Sequence, residues 1–389
     1  MKILHVVPSF HPAHVYGGPI ESVYALCRAL VRQQCDVRVL STDANGLDRV
    51  LEVATGREME LPGGVKVRYC HRLARHSISL ELLRRLPEAI RWADLVHLTA
   101  VYSFPTLPTL LACRALGKPL LWSPRGALQR WPGSRKLGRK KLFAAASSAL
   151  APRQFILHVT SQQESDESRE IFPRARLAIV ANGVDIPLGL TTAPDGGALR
   201  LVFLGRLDSK KGIENLLDAC ALVKRQTTIA FSLTIAGAGE AGYERSLRHR
   251  IEALGLNSQV QMIGAVHGEA KRQLLAGASL VIVPSHTENF AMVVAEALAH
   301  GAPVLASRGT PWQRVEENGC GLWVANDAAT LADAIARMSH MPLAEMGGRG
   351  RAWMAREFSW DGRAAEMIRV YQTMTAAKTN LTTQLTAAT

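Results

Sequence analysis

The sequence has few aromatic residues, no paired cysteines and no long hydrophobic run. Six cysteines (Cys27, Cys35, Cys70, Cys113, Cys220 and Cys320) are scattered, with no Cys-x-x-Cys pair and no Cys/His cluster at zinc spacing. That excludes a disulfide scaffold or a zinc module and predicts reduced, buried or partly buried thiols in a cytosolic protein. No stretch approaches the ~18 apolar residues that cross a bilayer. The longest bland run, Leu142–Ala151, is mostly Ala and Ser. The N-terminus, MKILHVVPSFHP, runs straight into Pro and His, without the longer apolar region and small-residue site of a signal peptide. Negative charge is the other scarcity, because 46 Lys+Arg face 33 Asp+Glu and leave a net charge of +13. Residues 1–190 hold 26 basic and 15 acidic residues, a net of +11, so the excess belongs to the first half. Such a balance points to nucleic acid, a membrane surface or an anionic substrate.

What is present suits packed cores. The chain has 389 residues, 48% hydrophobic and 20% charged, which excludes a disordered or fibrous chain and predicts two or three domains at ~150 residues each. Short apolar runs alternate with longer helical patterns, the mark of parallel sheets with crossover helices. Lys2–Val7, Val37–Leu40, Val65–Tyr69, Leu95–Leu98, Leu120–Ser123 and Phe155–Thr160 read as strands. A second series follows at Leu201–Leu204, Phe231–Ile235, Val260–Ile263, Leu280–Val283 and Val304–Ser307. Leu188–Ala198, rich in Gly, Thr and Pro, is the linker candidate, and Thr373–Thr389, without an apolar period, reads as a disordered tail. The reading is therefore α/β, with two doubly wound halves whose strand carboxyl ends border a cleft where ligands bind.

Two motifs carry chemistry. A buried strand ends at Pro284, and a helix is expected to start near Asn289 or Phe290, placing Glu288 at its entrance and Glu296 about two turns on. Free N–H groups at a helix start suit a diphosphate, and nearby carboxylates suit sugar hydroxyls. Two isolated glutamates would more simply be a cap and an exposed helical acid. The second motif weighs against that: Gly205-Arg206-Leu207-Asp208-Ser209-Lys210-Lys211-Gly212 follows a strand and precedes a helix. Gly205 permits a tight turn, Arg206 can grip phosphate oxygens in a fork, and Lys211 adds a point charge.

Gly-Arg-Leu-x-x-x-Lys-Gly followed by Glu-x7-Glu-Ala resembles the retaining GT-B glycosyltransferases of family 4. Gly17-Gly18-Pro19, Ser123-Pro124-Arg125-Gly126, Thr160-Ser161, Asn182-Gly183-Val184-Asp185, Gly237-Ala238-Gly239 and Ala302-Pro303-Val304 extend the resemblance along nearly the whole chain. Gly309-Thr310-Pro311-Trp312 is similar to a bacterial surface-polysaccharide branch. The resemblance implies a GT-B fold, two Rossmann-like doubly wound parallel-sheet domains facing a central cleft. The expected boundaries are 1–190 for the acceptor side, 191–357 for the donor side, a helix 358–374 crossing back, and a tail 375–389. It implies a nucleotide-diphosphate sugar as donor substrate, with no further cofactor and no metal, in keeping with the lack of an Asp-x-Asp motif. Arg206 and Lys211 would hold the donor diphosphate, Glu288 the sugar hydroxyls and Glu296 the ribose. Backbone N–H groups of Asn289, Phe290, Ala291 and Met292 would cap the phosphates. Ile263 and Pro284 would border the base, and Gly205, Gly237, Gly17 and Gly18 would let backbone approach the donor.

Two positions depart from the pattern. The family usually has Gly where Ala291 stands, and many members have histidine in the loop where this chain has Pro124-Arg125-Gly126. Arg125 cannot act as a base, since its pKa stays above ~12, and becomes an acceptor-side or phosphate contact. His97, at a strand end, is the other acceptor-side candidate, with a packed core histidine as the plainer account. The acid-free stretch 126–163, with Arg130, Arg135, Lys136, Arg139, Lys140, Lys141 and Arg153, and the segment 72–92 with Arg72, Arg75, Arg84, Arg85 and Arg91, interleave cations with apolar residues. Segments of this kind lie on anionic membrane surfaces, and a solvated helix face is the alternative. No nucleic-acid motif accompanies the charge. The expectation is a cytoplasmic enzyme, peripheral on the inner face of the membrane, with a lipid-linked or saccharide acceptor. The rival readings are a nucleotide-sugar epimerase of the same fold and an inactive nucleotide-sugar-binding or membrane scaffold protein.

Overall fold

The computed structural model describes residues 1–75, 77–129, 137–188 and 197–386, with side chains omitted for 137–141 and 377–386. The chain forms two units, Met1–Gly183 with Trp360–Thr389, and Val184–Ser359.

The first unit runs β1 (Lys2–Ser9), α1 (Gly18–Arg32), β2 (Asp36–Thr42), β3 (Glu58–Leu61), β4 (Val65–Cys70), α2 (Leu80–Trp92), β5 (Leu95–Thr99), α3 (Thr106–Ala115), β6 (Leu120–Ser123), α4 (Leu137–Leu150), β7 (Phe155–Val159), α5 (Gln162–Ile171) and β8 (Arg176–Ile179). The sheet order is β3-β4-β2-β1-β5-β6-β7-β8, parallel except for β3 against β4. The central strands are almost wholly buried, which is why they read as unbroken apolar runs. Helix α1 buries Ile20, Val23, Tyr24, Cys27 and Leu30, at the spacing its sequence predicts. In α2, Ser79 caps the first turn by accepting the Leu82 N–H at 3.2 Å.

The second unit runs β9 (Leu199–Leu204), α6 (Ile213–Gln226), β10 (Phe231–Ala236), α7 (Ala241–Ala253), β11 (Val260–Gly264), α8 (Gly268–Ala276), β12 (Leu280–Val283), α9 (Met292–Ala299), β13 (Val304–Ser307), α10 (Arg314–Glu317), β14 (Gly321–Val324), α11 (Ala328–Met338) and α12 (Leu343–Glu357). Its sheet is fully parallel, in the order β11-β10-β9-β12-β13-β14. A core built on Phe203, Leu216, Leu233, Ile235, Leu280 and Ile282 lies between β9, β10, β12 and α6. The six cysteines are free and buried.

Three details differ from expectation. Strands β3, β8 and β14 are missed by periodicity, because all three lie at sheet edges, where β3 and β8 carry half-exposed, charged sequences and β14 opens on a glycine and is half-exposed at its end. The second unit begins at Val184, before the Gly/Thr-rich stretch, whose residues 189–196 lie outside the described ones. The Val184 N–H donates to Phe358 O at 2.7 Å, and Arg351 grips Pro187 O, so this segment already belongs to the second unit. Finally, α13 spans Trp360–Thr386 and covers most of the stretch expected to be a tail. After Gly362 the sequence offers no Gly or Pro to stop it. It packs on α1, where Arg32 makes a forked bond to Asp361.

Candidate active site

The strand order of the second sheet reverses between β9 and β12, and these two strands lead into the two motifs. At such a switch point the loops part to opposite faces and leave a crevice at the strand carboxyl ends. Lys211, in the turn after β9, and Glu288, in the loop after β12, form an ion pair in which Lys211 Nζ contacts Glu288 Oε1. Both side chains are mostly enclosed, at 19% and 12% exposure. Ser285 Oγ donates to the same carboxylate oxygen at 2.8 Å. The loops lock together through their backbones as well. His286 N–H donates to Lys210 O at 2.9 Å. Gly212 takes a left-handed φ of +64°, and a Cβ there would lie 2.1 Å from Pro284 O. Arg206 is exposed beside this pair, and half-buried Lys210 has its ammonium pKa lowered by burial, with Glu288 opposing.

The Gly309-Thr310-Pro311-Trp312 segment buttresses the glutamate loop from below. Glu288 N–H donates to Gly309 O at 2.8 Å, Ser307 Oγ to Ser285 O, and Trp312 Nε1 to Phe290 O. A Cβ on Gly309 would meet Ser285 O at 2.3 Å and His286 O at 2.4 Å. Trp312 in turn packs edge-on against Phe290 and Trp353 and tilted against Phe358, with ring centroids 5.2 to 5.8 Å away. This segment is thus a physical clamp on the loop carrying Glu288.

Neighbouring strand ends complete the edge. Gly205 N–H donates to Ala236 O at 3.0 Å and Gly237 N–H to Gly264 O at 2.7 Å, while a Cβ on Gly237 would fall 1.8 Å from Gly205 O. Ile263 is 40% exposed at the end of β11, whereas Pro284 is buried.

Helix α9 starts at Met292, two to three residues later than expected, with Asn289 and Phe290 in the loop. Glu296 lies on α9 and bonds Lys271 Nζ of α8 at 2.6 Å. Ala291 caps the helix with φ +58° and offers no side-chain bond to its N–H groups. A left-handed residue at this point explains why glycine is usual there. Ala291→Gly relieves ~1–2 kcal/mol of left-handed cost against ~0.5–1 kcal/mol of added chain entropy. A small gain in unfolding free energy, about 0–1.5 kcal/mol, is expected and is read as a higher urea midpoint; a fall would show that the methyl packs usefully.

In the first unit, Gly17 (φ +74°) ends the loop after β1, and Gly18 opens α1. Arg125, also left-handed at φ +54°, donates to Asn182 Oδ1. Beside it, buried Glu164 accepts Gly126 N–H and Thr160 N–H, both at 2.7 Å, and Thr160 Oγ1 at 2.9 Å. His97 is fully buried, and both ring nitrogens are engaged inside the protein. Its partners fix a one-way chain. His158 Nε2 must donate to Val180 O at 2.9 Å, so its Nδ1 accepts from Ser123 Oγ at 2.6 Å. Ser123 Oγ then accepts from His97 Nε2 at 2.6 Å, and His97 Nδ1 accepts from Tyr371 O–H of α13 at 2.7 Å. Burial holds His97 well below its usual pKa and lowers His158 to about 3. His97 therefore belongs to a neutral core relay joining β5, β6, β7 and α13.

Two family descriptions match this chain: "Glycosyltransferase Family 4" over residues 16–187 and "Glycosyl transferases group 1" over residues 192–353. The GDP-mannose:cellobiosyl-diphosphopolyprenol alpha-mannosyltransferase of Xanthomonas oryzae pv. oryzae is 30% identical over 343 residues, 85% of either chain. The chain is a family 4 glycosyltransferase. Among solved structures, the sucrose-phosphate synthase of Thermosynechococcus elongatus superposes with a TM-score of 0.76 at 21% identity, over 97% of this chain and 100% of the other. The Anabaena HepE complex with UDP-glucose gives 0.71 at 20% identity, over 95% and 100%. The two parallel-sheet units of the glycosyltransferase make the GT-B fold.

Several site partners in this glycosyltransferase escape sequence reasoning. Ser285 lies in the same loop three residues before Glu288, and only the fold of that loop turns its hydroxyl to the carboxylate; Lys271 carries no motif, and only the packing of α8 on α9 brings it to Glu296. Glu164 had a local signal, since Ser161 and Glu164 have capping-box spacing, and Ser161 Oγ does accept the Glu164 N–H at 3.1 Å. The Glu164 carboxylate, however, turns to Thr160 and Gly126.

Proposed function

We propose that this glycosyltransferase moves a sugar from a nucleotide-diphosphate donor, with retention at the anomeric carbon, to a lipid-linked saccharide in cell-surface polysaccharide assembly. The observation that carries the reading is the Lys211–Glu288 contact at the β9/β12 switch point, which sets a phosphate-binding cation against a hydroxyl-binding carboxylate. Arg206 and Lys211 hold the diphosphate with the backbone N–H groups of residues 289–292, and Glu288 takes the sugar hydroxyls. Glu296 takes the ribose, with Ile263 and Pro284 bordering the base. Gly17 and Gly18 keep side chains out of the loop after β1. As the bond from the anomeric carbon to the phosphate oxygen breaks, the acceptor oxygen bonds to that carbon on the same face. The departing phosphate oxygen takes the acceptor proton. Arg206 and Lys211 stabilise the charge that grows on the diphosphate, so no metal is required for this step.

The relative's name makes GDP-mannose the first donor to test and a diphosphopolyprenol-linked saccharide the first acceptor. Peripheral membrane binding is part of the proposal. Helix α2 turns Leu82, Leu86 and Ile90 inward and Arg84, Arg85 and Arg91 outward, with Leu80 at its first position and Leu73 before it exposed at 53% and 56%. In the other basic stretch, residues 130–136 lie outside the described ones; Leu142 and Arg153 are exposed. Among the described residues no helix is long and apolar enough to cross a membrane. The experiment is transfer from a panel of sugar nucleotides to a lipid-linked acceptor, with product NMR and a chelator arm. Transfer that persists in chelator and keeps the anomeric configuration supports the reading. An inverted product overturns retention, and a changed sugar nucleotide without transfer would make the protein an epimerase.

A further inference from the structure

The loop from β1 to α1 carries a cluster that the transfer reaction leaves unused. His11, His14 and Glu21 bring one donor atom each to within 4.8 Å of one another. His14 Nδ1 lies 2.7 Å and His11 Nδ1 3.7 Å from the same oxygen, Glu21 Oε1. The His11 ring is set by stacking on Tyr24, with centroids 4.4 Å apart and planes 22° apart. Its Nδ1 is buried and has no hydrogen-bond partner. An enclosed imidazole nitrogen, aimed at a carboxylate oxygen but beyond hydrogen-bonding reach of it, has the place of a ligand whose central atom is missing.

We propose that His11, His14 and Glu21 bind one divalent transition-metal ion of the zinc, cobalt or nickel class, with the remaining coordination position open to solvent. Two imidazoles and a carboxylate form a borderline donor set that favours such ions over magnesium or calcium, which take oxygen. Bond lengths near ~2.0–2.2 Å bring tetrahedral ligand atoms to about 3.4 Å apart, so separations that now reach at most 4.8 Å must shorten by up to about 1.4 Å. The exposed side chains of His14 and Glu21, at 44% and 51%, have room for that adjustment. The histidines precede Gly17 and the glutamate follows it in the first turn of α1. The ion therefore closes a ring around Gly17 and Gly18 and pins that loop to the helix. It takes no part in the displacement, and the site stands whether or not the proposed transfer is right.

The test is calorimetric titration of the full chain, stripped with chelator, with Zn2+ and separately Mg2+. Visible absorption of the Co2+ form provides a second readout. One Zn2+ per chain is expected, with no Mg2+ binding at the same concentrations and a cobalt spectrum of tetrahedral intensity. Since even outer partners of a metal ligand change affinity ~10–100-fold, His14→Ala and Glu21→Gln should each weaken Zn2+ by at least about tenfold. His71→Ala removes a surface histidine that faces Asp43 at 3.0 Å and should leave the affinity unchanged. His14 and Glu21 are exposed, so their variants should fold, which circular dichroism checks. Failure of the parent chain to bind Zn2+, or parent-like affinity in both variants, overturns the proposal.

Discussion

Lys211→Ala lowers kcat/KM by about 10²–10³ while the protein keeps its fold, and Glu288→Gln does the same for a different reason. On the proposed function the ammonium is a positioned cation where charge develops on the leaving diphosphate, and both members of its ion pair are largely shielded from water. Its removal also leaves the Glu288 carboxylate with Ser285 Oγ but without that cation. Glu288→Gln keeps the side-chain volume and removes the negative charge to which, on the same proposal, sugar hydroxyls donate. Calorimetry separates the two roles. Lys211→Ala weakens binding of the nucleoside diphosphate alone, whereas Glu288→Gln leaves that affinity near the parent value and loses the extra contribution of the sugar. Because the residues touch, the double variant should fall well short of the product of the single losses. Undiminished transfer in either single variant would remove that residue from the site.

Acidification is expected to unfold the first unit well before carboxylate protonation alone would. His5, His97 and His158 lie buried on β1, β5 and β7, with the His5 and His97 rings 4.5 Å apart on adjacent strands. Burial lowers His5 and His158 to about 3 and His97 well below 6.5, with Arg125 adding repulsion. Their folded forms are therefore neutral at pH values where the unfolded chain binds protons, so stability is complete above about pH 6.5 and falls as pH drops below it. Each neutral histidine costs up to ~1.4 kcal/mol per pH unit, so the three remove about 4 kcal/mol by pH 5.5. That is a large share of the ~5–15 kcal/mol typical of a domain. Urea midpoints from pH 8 to 5.5 should show proton uptake approaching three. Neither His5 nitrogen has a hydrogen-bond partner, so His5→Leu should preserve stability at pH 8 and reduce the slope by about a third. A flat profile would show that the cluster is already protonated in the folded state.

Legibility in the sequence followed how local each constraint is. The buried parallel strands declare themselves because each is a continuous apolar run, and the Gly205–Gly212 and Pro284–Met292 motifs because their glycines and cations, or their carboxylate at a strand-to-helix turn, stand close together in sequence. Weaker signals failed. Strand β3 pairs Glu58–Leu61 against Val65–Arg68 at an exposed edge, where burial imposes little pattern. The last helix continues past Met374 with no apolar period to announce it. The late start of α9 comes from Ala291 in a left-handed conformation, imposed by the clamp of Gly309 and Trp312 from a distant part of the chain.

Histidine 97 shows the same division. Its position at a strand end is plain from sequence, but its role rests on Tyr371, 274 residues away, and on Ser123 and His158. By itself the sequence determined the two α/β units, the cation and carboxylate motifs and the family, because these depend on period, composition and short spacing. Tertiary structure alone decided that Lys211 faces Glu288, that Glu296 meets Lys271, that His97 is a core relay and that two loop histidines converge on Glu21. Each of these depends on which strand ends and loops become neighbours, and that is a matter of strand order and long-range packing rather than of any one segment.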